Sequence, residues 1–281
     1  MATYGVSTAL IAGRPFEEGL SQIAAAGFSE IELNGEAGSF EGWLAAPAGL
    51  RRAVEAAGLA VRSVHPPPAG WHNSDPDPEV RAVSLRTAIE AIELAAEIGA
   101  RAVIWHSNHH KTVVPPEEFS ASRGRARDNL AAAADRAGRL GLQLACENLP
   151  EIGNPRPACS VQGNLELIAG LGEGVGLCLD AGHSRSNAQD PAAEARLAGA
   201  KLFATHLQDN SGPGQDQHRV PQRDMAAWDE LVRTLDAMNY SGGRMFEVHP
   251  DLGAADLEGT LARLSELVRR WDECRIANDE L

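Results

Sequence analysis

No apolar run in this 281-residue chain approaches the roughly 18 residues that a membrane-spanning helix needs. The first residues, Met-Ala-Thr-Tyr-Gly, pass straight into a strand pattern and lack the basic region and apolar core of a signal peptide. A cytoplasmic protein with no membrane partner is therefore expected. Cysteine is scarce: Cys146, Cys159, Cys178 and Cys274 show no Cys-x-x-Cys spacing, which argues against a zinc knuckle or a redox pair. Strand alternation turns Cys178 to the same side as Asp180 and Cys146 to the side opposite Glu147, so the two should not pair. Positive charge is also short. The 25 Lys plus Arg stand against 39 Asp plus Glu, a formal net charge of −14 that opposes polyanions over most of the surface. No nucleic-acid partner is expected. A Gly-x-Gly-x-x-Gly turn is missing after the first strand, which leaves an open dinucleotide-binding sheet without its main signature.

What the chain does have is a regular alternation. Short apolar runs read as strands at 4–8, 30–33, 59–64, 102–105, 142–146, 175–180, 201–205 and 244–246. Between and after them come helical stretches. These run from Arg14 to Gly27, Pro47 to Ala57, Glu79 to Ile98, Glu117 to Leu140, Leu165 to Ala169, Pro191 to Ala198, Met225 to Met238 and Ala254 to about Arg275. Strand and helix alternating at roughly 35 residues per unit predicts an α/β protein, one (β/α)8 TIM barrel spanning 1–281 as a single domain.

The polar residues gather at the strand ends. Val175-Gly-Leu-Cys-Leu-Asp180 reads as a buried strand that delivers Asp180 at its carboxyl end, with His183 on the turn above it. Five other strands end in metal-capable side chains: His65, His106, Glu147, His206 and Glu247. In a barrel these ends surround one mouth. A cluster of buried carboxylates without a counter-charge costs several kcal/mol, by order of magnitude, and a cation offsets that cost.

The stretches Cys-Glu147-Asn, Leu-Asp180-Ala-Gly-His183, Thr-His206-Leu-Gln-Asp and Phe-Glu247-Val-His resemble the xylose isomerase-like TIM barrels. That family includes sugar isomerases, keto-sugar epimerases, inosose dehydratases and the endonuclease IV group. The resemblance to the keto-sugar epimerases implies that Glu147, Asp180, His206 and Glu247 bind one divalent metal, that Glu147 and Glu247 are also catalytic and move protons, and that His183 contacts substrate. It also implies a homo-oligomer, dimers and tetramers being common in the family. Three carboxylates and one imidazole suit Mn²⁺ foremost, with Mg²⁺, Co²⁺ or Zn²⁺ as alternatives. Such an ion stabilises an enediolate made by removing a proton beside a carbonyl, so isomerisation or epimerisation of a sugar, keto-sugar or polyol derivative is expected. Loss of a neighbouring hydroxyl would instead make a dehydratase or lyase. A non-catalytic sugar-binding barrel would need no proton-moving pair of glutamates.

A sharper rival comes from the endonuclease IV group, phosphodiesterases that bind three zinc ions through nine ligands. His65, His106 and Glu147, then Asp180, His183 and His206, then Asp216, His218 and Glu247 resemble that full set. A nuclease must also neutralise phosphates, and the loops expected at the mouth are rich in Pro, Asp, Asn and Gly. Arg123, Arg125 and Arg127 lie on a helix pattern with Asp128 and Asp135, which reads as a solvated face. On the epimerase reading the substrate side falls to His183, His65, His106, Asp216 and His218, with Trp71 as a wall. Arg219 would stand in for an arginine that is missing soon after His206. His109, His110 and Lys111 read as an exposed polar loop, and His249 is unassigned.

Overall fold

Eight parallel strands close on themselves in sequence order: β1 (Tyr4–Ser7), β2 (Glu30–Asn34), β3 (Ala60–His65), β4 (Ala102–Trp105), β5 (Gln143–Glu147), β6 (Val175–Asp180), β7 (Leu202–His206) and β8 (Arg244–Phe246). The ring shuts where β1 pairs with β8, Tyr4 opposite Arg244. Helices wrap the outside. α1 (Phe16–Ala25) follows β1, and α2 (Phe40–Ala45) and α3 (Pro47–Ala56) follow β2. Then come α4 (Pro78–Ile98), α5 (Phe119–Arg139) and α6 (Val161–Ile168) after β3, β4 and β5. α7 (Ala181–Ser186) and α8 (Pro191–Ala198) follow β6, α9 (Met225–Ala237) follows β7, and α10 (Leu257–Asp279) closes the chain. The structure, a computed structural model, describes residues 2–35, 39–109, 112–154, 156–249 and 257–279, the side chains of 275–279 excepted. The expected first turn of the last helix, at 254–256, lies outside the described residues. This is the (β/α)8 barrel that the alternation predicts.

The strands run slightly further than their apolar runs, so that His65, Glu147 and His206 belong to the ladders themselves. Helix ends differ where side-chain caps decide them. α6 begins at Val161, four residues before the expected Leu165, because the Ser160 hydroxyl accepts the Gly163 N–H and caps it. α2 and α7 were not expected at all. α7 follows directly from the strand end because the Asp180 carboxylate caps it.

Two side-chain layers follow from the two-residue strand period. Ile104, Ala145, Cys178 and Ala204 form a small cluster inside the barrel. Their strand neighbours Val103, Trp105, Leu144, Cys146, Leu177 and Leu179 belong to the main core, which includes buried faces of the surrounding helices. Two residues beyond the inner set, the same inward phase brings His106, Glu147, Asp180 and His206 to the carboxyl end of the barrel. Cys146 and Cys178 thus lie on opposite faces, and all four cysteines are free. Among the described residues no helix is long and apolar enough to cross a membrane.

Candidate metal centre

Glu147, Asp180, His206 and Glu247 each place one ligand atom within 4.8 Å of the others, and all four side chains are buried. The focus is His206 Nδ1. Glu247 Oε2 lies 3.1 Å from it, Glu147 Oε1 3.3 Å and Asp180 Oδ2 3.9 Å. Asp180 divides its carboxylate. Oδ1 accepts the His183 N–H at 2.6 Å and the Gln208 amide at 3.0 Å, whereas Oδ2 is buried with no hydrogen-bond partner. Buried polar atoms are seldom left so. An orphaned carboxylate oxygen facing two further carboxylates and an imidazole fits a divalent cation, and these four residues are the ones that would hold it.

Protonation reflects the same crowding. Burial raises the Asp180 carboxyl to about 6, with Glu147 and Glu247 adding to the rise against His183. Burial works the same way on Glu147, yet His206 and His106 hold it well below the usual carboxylate range. Glu247 is also held low, by His206 and His218 against its own burial. Burial would lower His206, but the anionic groups around it, Glu247, Glu32 and Glu147 among them, hold it well above the ordinary histidine value.

Two flanking groups share this chemistry. His65, His106 and Glu147 form one, and His183, Asp216 and His218 form the other. In the first, His65 Nε2, His106 Nε2 and Glu147 Oε2 converge: 3.1 Å between the imidazoles and 2.9 Å from His106 to the carboxylate. His65 Nδ1 lies 3.1 Å from the Pro66 carbonyl, which can only accept, so Nδ1 carries a proton. In the second, His183 Nδ1 donates to the Asn148 carbonyl at 2.9 Å and His218 Nδ1 to the Glu247 carbonyl at 3.0 Å. Both Nε2 atoms then face Asp216 Oδ1, at 3.3 and 3.1 Å. Burial opposes charge here too, but Asp216 lifts His218 to about 10 and Glu147 helps to lift His65 to about 9. His106 instead falls to about 4, burial outweighing Glu147.

The loop that brings in Asp216 and His218 is tied down at its root. Asp209 pairs with Arg219 in an antiparallel bridge, and its carboxylate accepts the N–H groups of Gln222 and Arg223. His218 adopts a left-handed backbone (φ 48°) and stacks on His249 with ring centroids 4.3 Å apart. Burial and the His218 charge push His249 down to about 4.

Above the centre lies a cavity of about 150 Å³, lined by His65, Trp71, His106, Glu147, Asp216, His218, Glu247 and His249. Trp71 is part of that wall, but its ring stacks on His106 (4.5 Å) and its N–H donates to the Pro66 carbonyl. Arg219 contributes its main chain to the loop root and is not among the lining residues. His109 stacks on His72, while His110 and Lys111 lie outside the described residues. The Arg123, Arg125 and Arg127 side chains bind Glu166, the Ser74 carbonyl and the Leu167 and Ala169 carbonyls, joining α5 to its neighbours.

Sequence reading passed over four residues that complete the site. Asn34 donates to Glu247 Oε1 at 3.2 Å, and Glu32 meets His206 Nε2 at 3.0 Å from within the barrel. Asn148 bridges strand ends, accepting from Asp180 N and donating to its carbonyl. Gln208 holds Asp180 Oδ1, packed so closely that a Cβ on Gly182 would come within 2.1 Å of it. The available signal was phase: Glu32 with Asn34, and His206 with Gln208, are two apart.

Residues 20–270 match the family model described as Xylose isomerase-like TIM barrel. A relative from Sinorhizobium fredii (strain NBRC 101917 / NGR234), described as "Uncharacterized protein y4fM", is 28% identical over 273 residues, covering 85% of this chain and 84% of its own length. Among solved structures, a D-tagatose 3-epimerase-like protein superposes with a TM-score of 0.80 at 18% identity over 99% of both chains. L-ribulose 3-epimerase gives 0.78 at 19% identity, over 100% of this chain and 97% of that one. A 3-keto-D-glucoside 4-epimerase from E. coli gives 0.78 at 19%, over 96% and 99%. At these identities the structures share a fold, whereas the family model spans all but the ends of the chain. The chain belongs to the xylose isomerase-like TIM barrel family.

Proposed function

We propose that this chain is a divalent-metal-dependent isomerase or epimerase of a small sugar, keto-sugar or polyol derivative. One observation carries the reading: Glu147 and Glu247, from β5 and the end of β8, bring carboxylate oxygens to 3.3 and 3.1 Å from the same His206 Nδ1 beneath a sugar-sized cavity. The cavity is well below the 300–1,000 Å³ typical of sites for drug-sized ligands, which favours a small substrate. Solved structures that share the barrel are described as sugar 3- and 4-epimerases, which supports a carbohydrate.

A divalent cation held by Glu147, Asp180, His206 and Glu247 would supply Lewis-acid stabilisation of the negative charge that develops when a proton is removed beside a carbonyl. The oxygen-rich donor set favours Mn²⁺, with Mg²⁺, Co²⁺ or Zn²⁺ able to replace it. Glu147 and Glu247 reach the substrate from different sides of the barrel, one taking the proton and the other returning it. Return to the opposite face of the same carbon gives an epimer; delivery to the neighbouring carbon gives an aldose–ketose isomer. Asn34 holds Glu247 Oε1 while Oε2 works, and His183, Asp216 and His218 offer polar contacts to hydroxyls. The stacked Trp71 and His106 close one wall against water. Incubation of the Mn²⁺-loaded protein with a panel of keto-sugars in heavy water should place deuterium at the carbon beside the carbonyl. Release of water without exchange would instead support a dehydratase or lyase.

A second reading has its own support. In both flanking groups imidazole Nε2 atoms converge with a carboxylate oxygen, and His65, His183 and His218 have Nδ1 at main-chain carbonyls, an arrangement that presents lone pairs to a metal. Up to two further cations there would favour hydrolysis of a phosphodiester, as in the endonuclease IV group. The net charge of −14 and the engagement of Arg123, Arg125 and Arg127 with Glu166 and with the Ser74 and Leu167 carbonyls weigh against a nucleic-acid substrate. Metal content per chain separates the readings: one ion supports the isomerase, and three tightly held Zn²⁺ would overturn it.

A further inference from the structure

One layer beneath the four converging ligands, inside the barrel, sits a carboxylate that none of the steps above uses. Glu32 lies in the middle of β2 and is wholly buried. Burying an ionisable side chain here is unfavourable unless it has a definite partner. No Lys or Arg supplies one among the described residues: Arg62, at the same end of the barrel, reaches the Ser241 carbonyl and Glu30 instead. Glu32 Oε2 accepts the Ser63 hydroxyl at 2.7 Å and lies 3.0 Å from His206 Nε2. Its ionic partner is therefore the imidazole whose other nitrogen forms the focus of the site.

We propose that Glu32 is the positioning residue for His206, accepting the Nε2 hydrogen bond so that Nδ1 is left to offer its lone pair to a cation held together with Glu147, Asp180 and Glu247.

The argument is one of donors and acceptors. A carboxylate accepts, and an imidazole that gives Nδ1 to a cation keeps a single proton, on Nε2, the nitrogen that faces Glu32. Nδ1 meanwhile faces three carboxylate oxygens, at 3.1, 3.3 and 3.9 Å. Without Glu32 the opposite tautomer would be preferred, with Nδ1–H donating to Glu247 or Glu147 and a proton sitting where a metal must bind. His65, His183 and His218 show the reverse arrangement, with Nδ1 at main-chain carbonyls and Nε2 facing their groups. His206 differs from these three in what holds the nitrogen turned away from its group: a buried carboxylate, Glu32 Oε2 at 3.0 Å from Nε2, in place of a main-chain carbonyl. An anionic acceptor also makes the imidazole a stronger donor than a carbonyl does. Ser63 holds the carboxylate in place through the paired strand β3.

This inference rests on the metal-binding part of the proposed function and not on the identity of the substrate. The test uses Mn²⁺ alone, titrated into wild type, Glu32→Gln, Glu32→Ala and Ser63→Ala, with free Mn²⁺ read by electron paramagnetic resonance. A second measurement records the imidazole ¹⁵N shifts of His206 in Zn²⁺-loaded protein. Wild type should show Nε2 protonated and Nδ1 metal-bound. Glu32→Ala should weaken Mn²⁺ binding about 10- to 100-fold, the usual range for loss of such a partner. Glu32→Gln, which retains an acceptor oxygen but no charge, should fall between it and wild type, and Ser63→Ala should show the smallest loss. Should Glu32→Ala fail to fold, Glu32→Gln and Ser63→Ala still decide the matter. A filler role would lower the melting temperature of the metal-free variants while leaving Mn²⁺ affinity within about threefold and the tautomer unchanged, and that result overturns the proposal. Failure of wild type to bind Mn²⁺ overturns the metal centre itself, whereas absence of sugar chemistry leaves the affinity comparison standing.

Discussion

Asp180 caps the helix that carries His183, its Oδ1 accepting the His183 N–H at 2.6 Å, while its Oδ2 faces His206 Nδ1 from 3.9 Å. The two tasks can be separated by substitution. Asp180→Asn keeps a side-chain oxygen for the cap but removes the charge from a carboxyl that burial already raises to about 6. The metal-free variant should therefore melt at or above the wild-type temperature, since a mutual repulsion with Glu147 and Glu247 is lost. Its stabilisation by metal should be lost with the ligand. At a thousandfold excess over the dissociation constant that stabilisation is about 4 kcal/mol in the wild type. Thermal scans with and without Mn²⁺ read both effects, and a metal-free variant that melts well below wild type would contradict this division of roles.

Glu247→Gln isolates proton transfer from folding. The amide retains an oxygen that can accept from Asn34, which now donates to Oε1 at 3.2 Å, so circular dichroism should be unchanged. Turnover at saturating Mn²⁺ should fall by about 10²–10⁴, the usual contribution of a positioned acid or base. Retained turnover would remove Glu247 from the proton-moving pair.

Metal uptake should depend on pH with a definite sign. His206 is held well above the ordinary histidine value, so in the metal-free protein at neutral pH it carries both ring protons, and binding through Nδ1 must expel one. Mn²⁺ affinity should rise with pH by about tenfold per unit for each proton displaced, from pH 6 until His206 itself titrates. Calorimetry in two buffers of different ionisation enthalpy measures the proton release directly; a pH-independent affinity would mean that Nδ1 is not a ligand.

Gly182 is required by a close approach. A Cβ there would lie 2.1 Å from the buried Gln208 side chain, which donates to Asp180 Oδ1. Gly182→Ala should destabilise the metal-free protein by about 1–3 kcal/mol in urea unfolding, the usual cost of overpacking. It should also weaken Mn²⁺ binding by disturbing Asp180. An unaltered unfolding midpoint would show that Gln208 can swing aside.

The ring of strand ends was legible because a two-residue period and a closed barrel leave little freedom: once Ala145, Cys178 and Ala204 point inward, Glu147, Asp180 and His206 must follow. Glu32 was not legible for the same reason in reverse. It sits mid-strand, one layer below the mouth, where the pattern Glu-Ile-Glu-Leu reads equally well as an amphipathic edge. The cap on α6 was written in Ser160, three residues before Gly163, but a Val-Gln-Gly-Asn start is a weak helix signal until the hydrogen bond is seen. Arg219 illustrates the other limit. Its place in the chain near His206 suggests a side-chain role, and what the sequence does not show is that its backbone also pairs with Asp209 at the loop root.

Charge count ranks the central metal-capable group above the one on the loop. The central one offers three carboxylates and one imidazole, whereas His183, Asp216 and His218 offer one carboxylate and two imidazoles. A hard divalent ion such as Mn²⁺ should enter the central group first and the flanking ones only at higher concentration. Asp216→Asn removes the single carboxylate of its group without touching the central four, so the tight phase of a Mn²⁺ titration should be retained and a weaker phase lost. Asp216 also neutralises His183 and His218, each of which burial would otherwise discharge, so both imidazoles should titrate at lower pH in the variant. Histidine NMR across pH 5–10 checks that shift, taking about 10 as the wild-type reference for His218. Loss of the tight phase in Asp216→Asn would move the primary ion from the Glu147–Asp180–His206–Glu247 group to the loop, and the roles of the two glutamates would have to be reassigned with it.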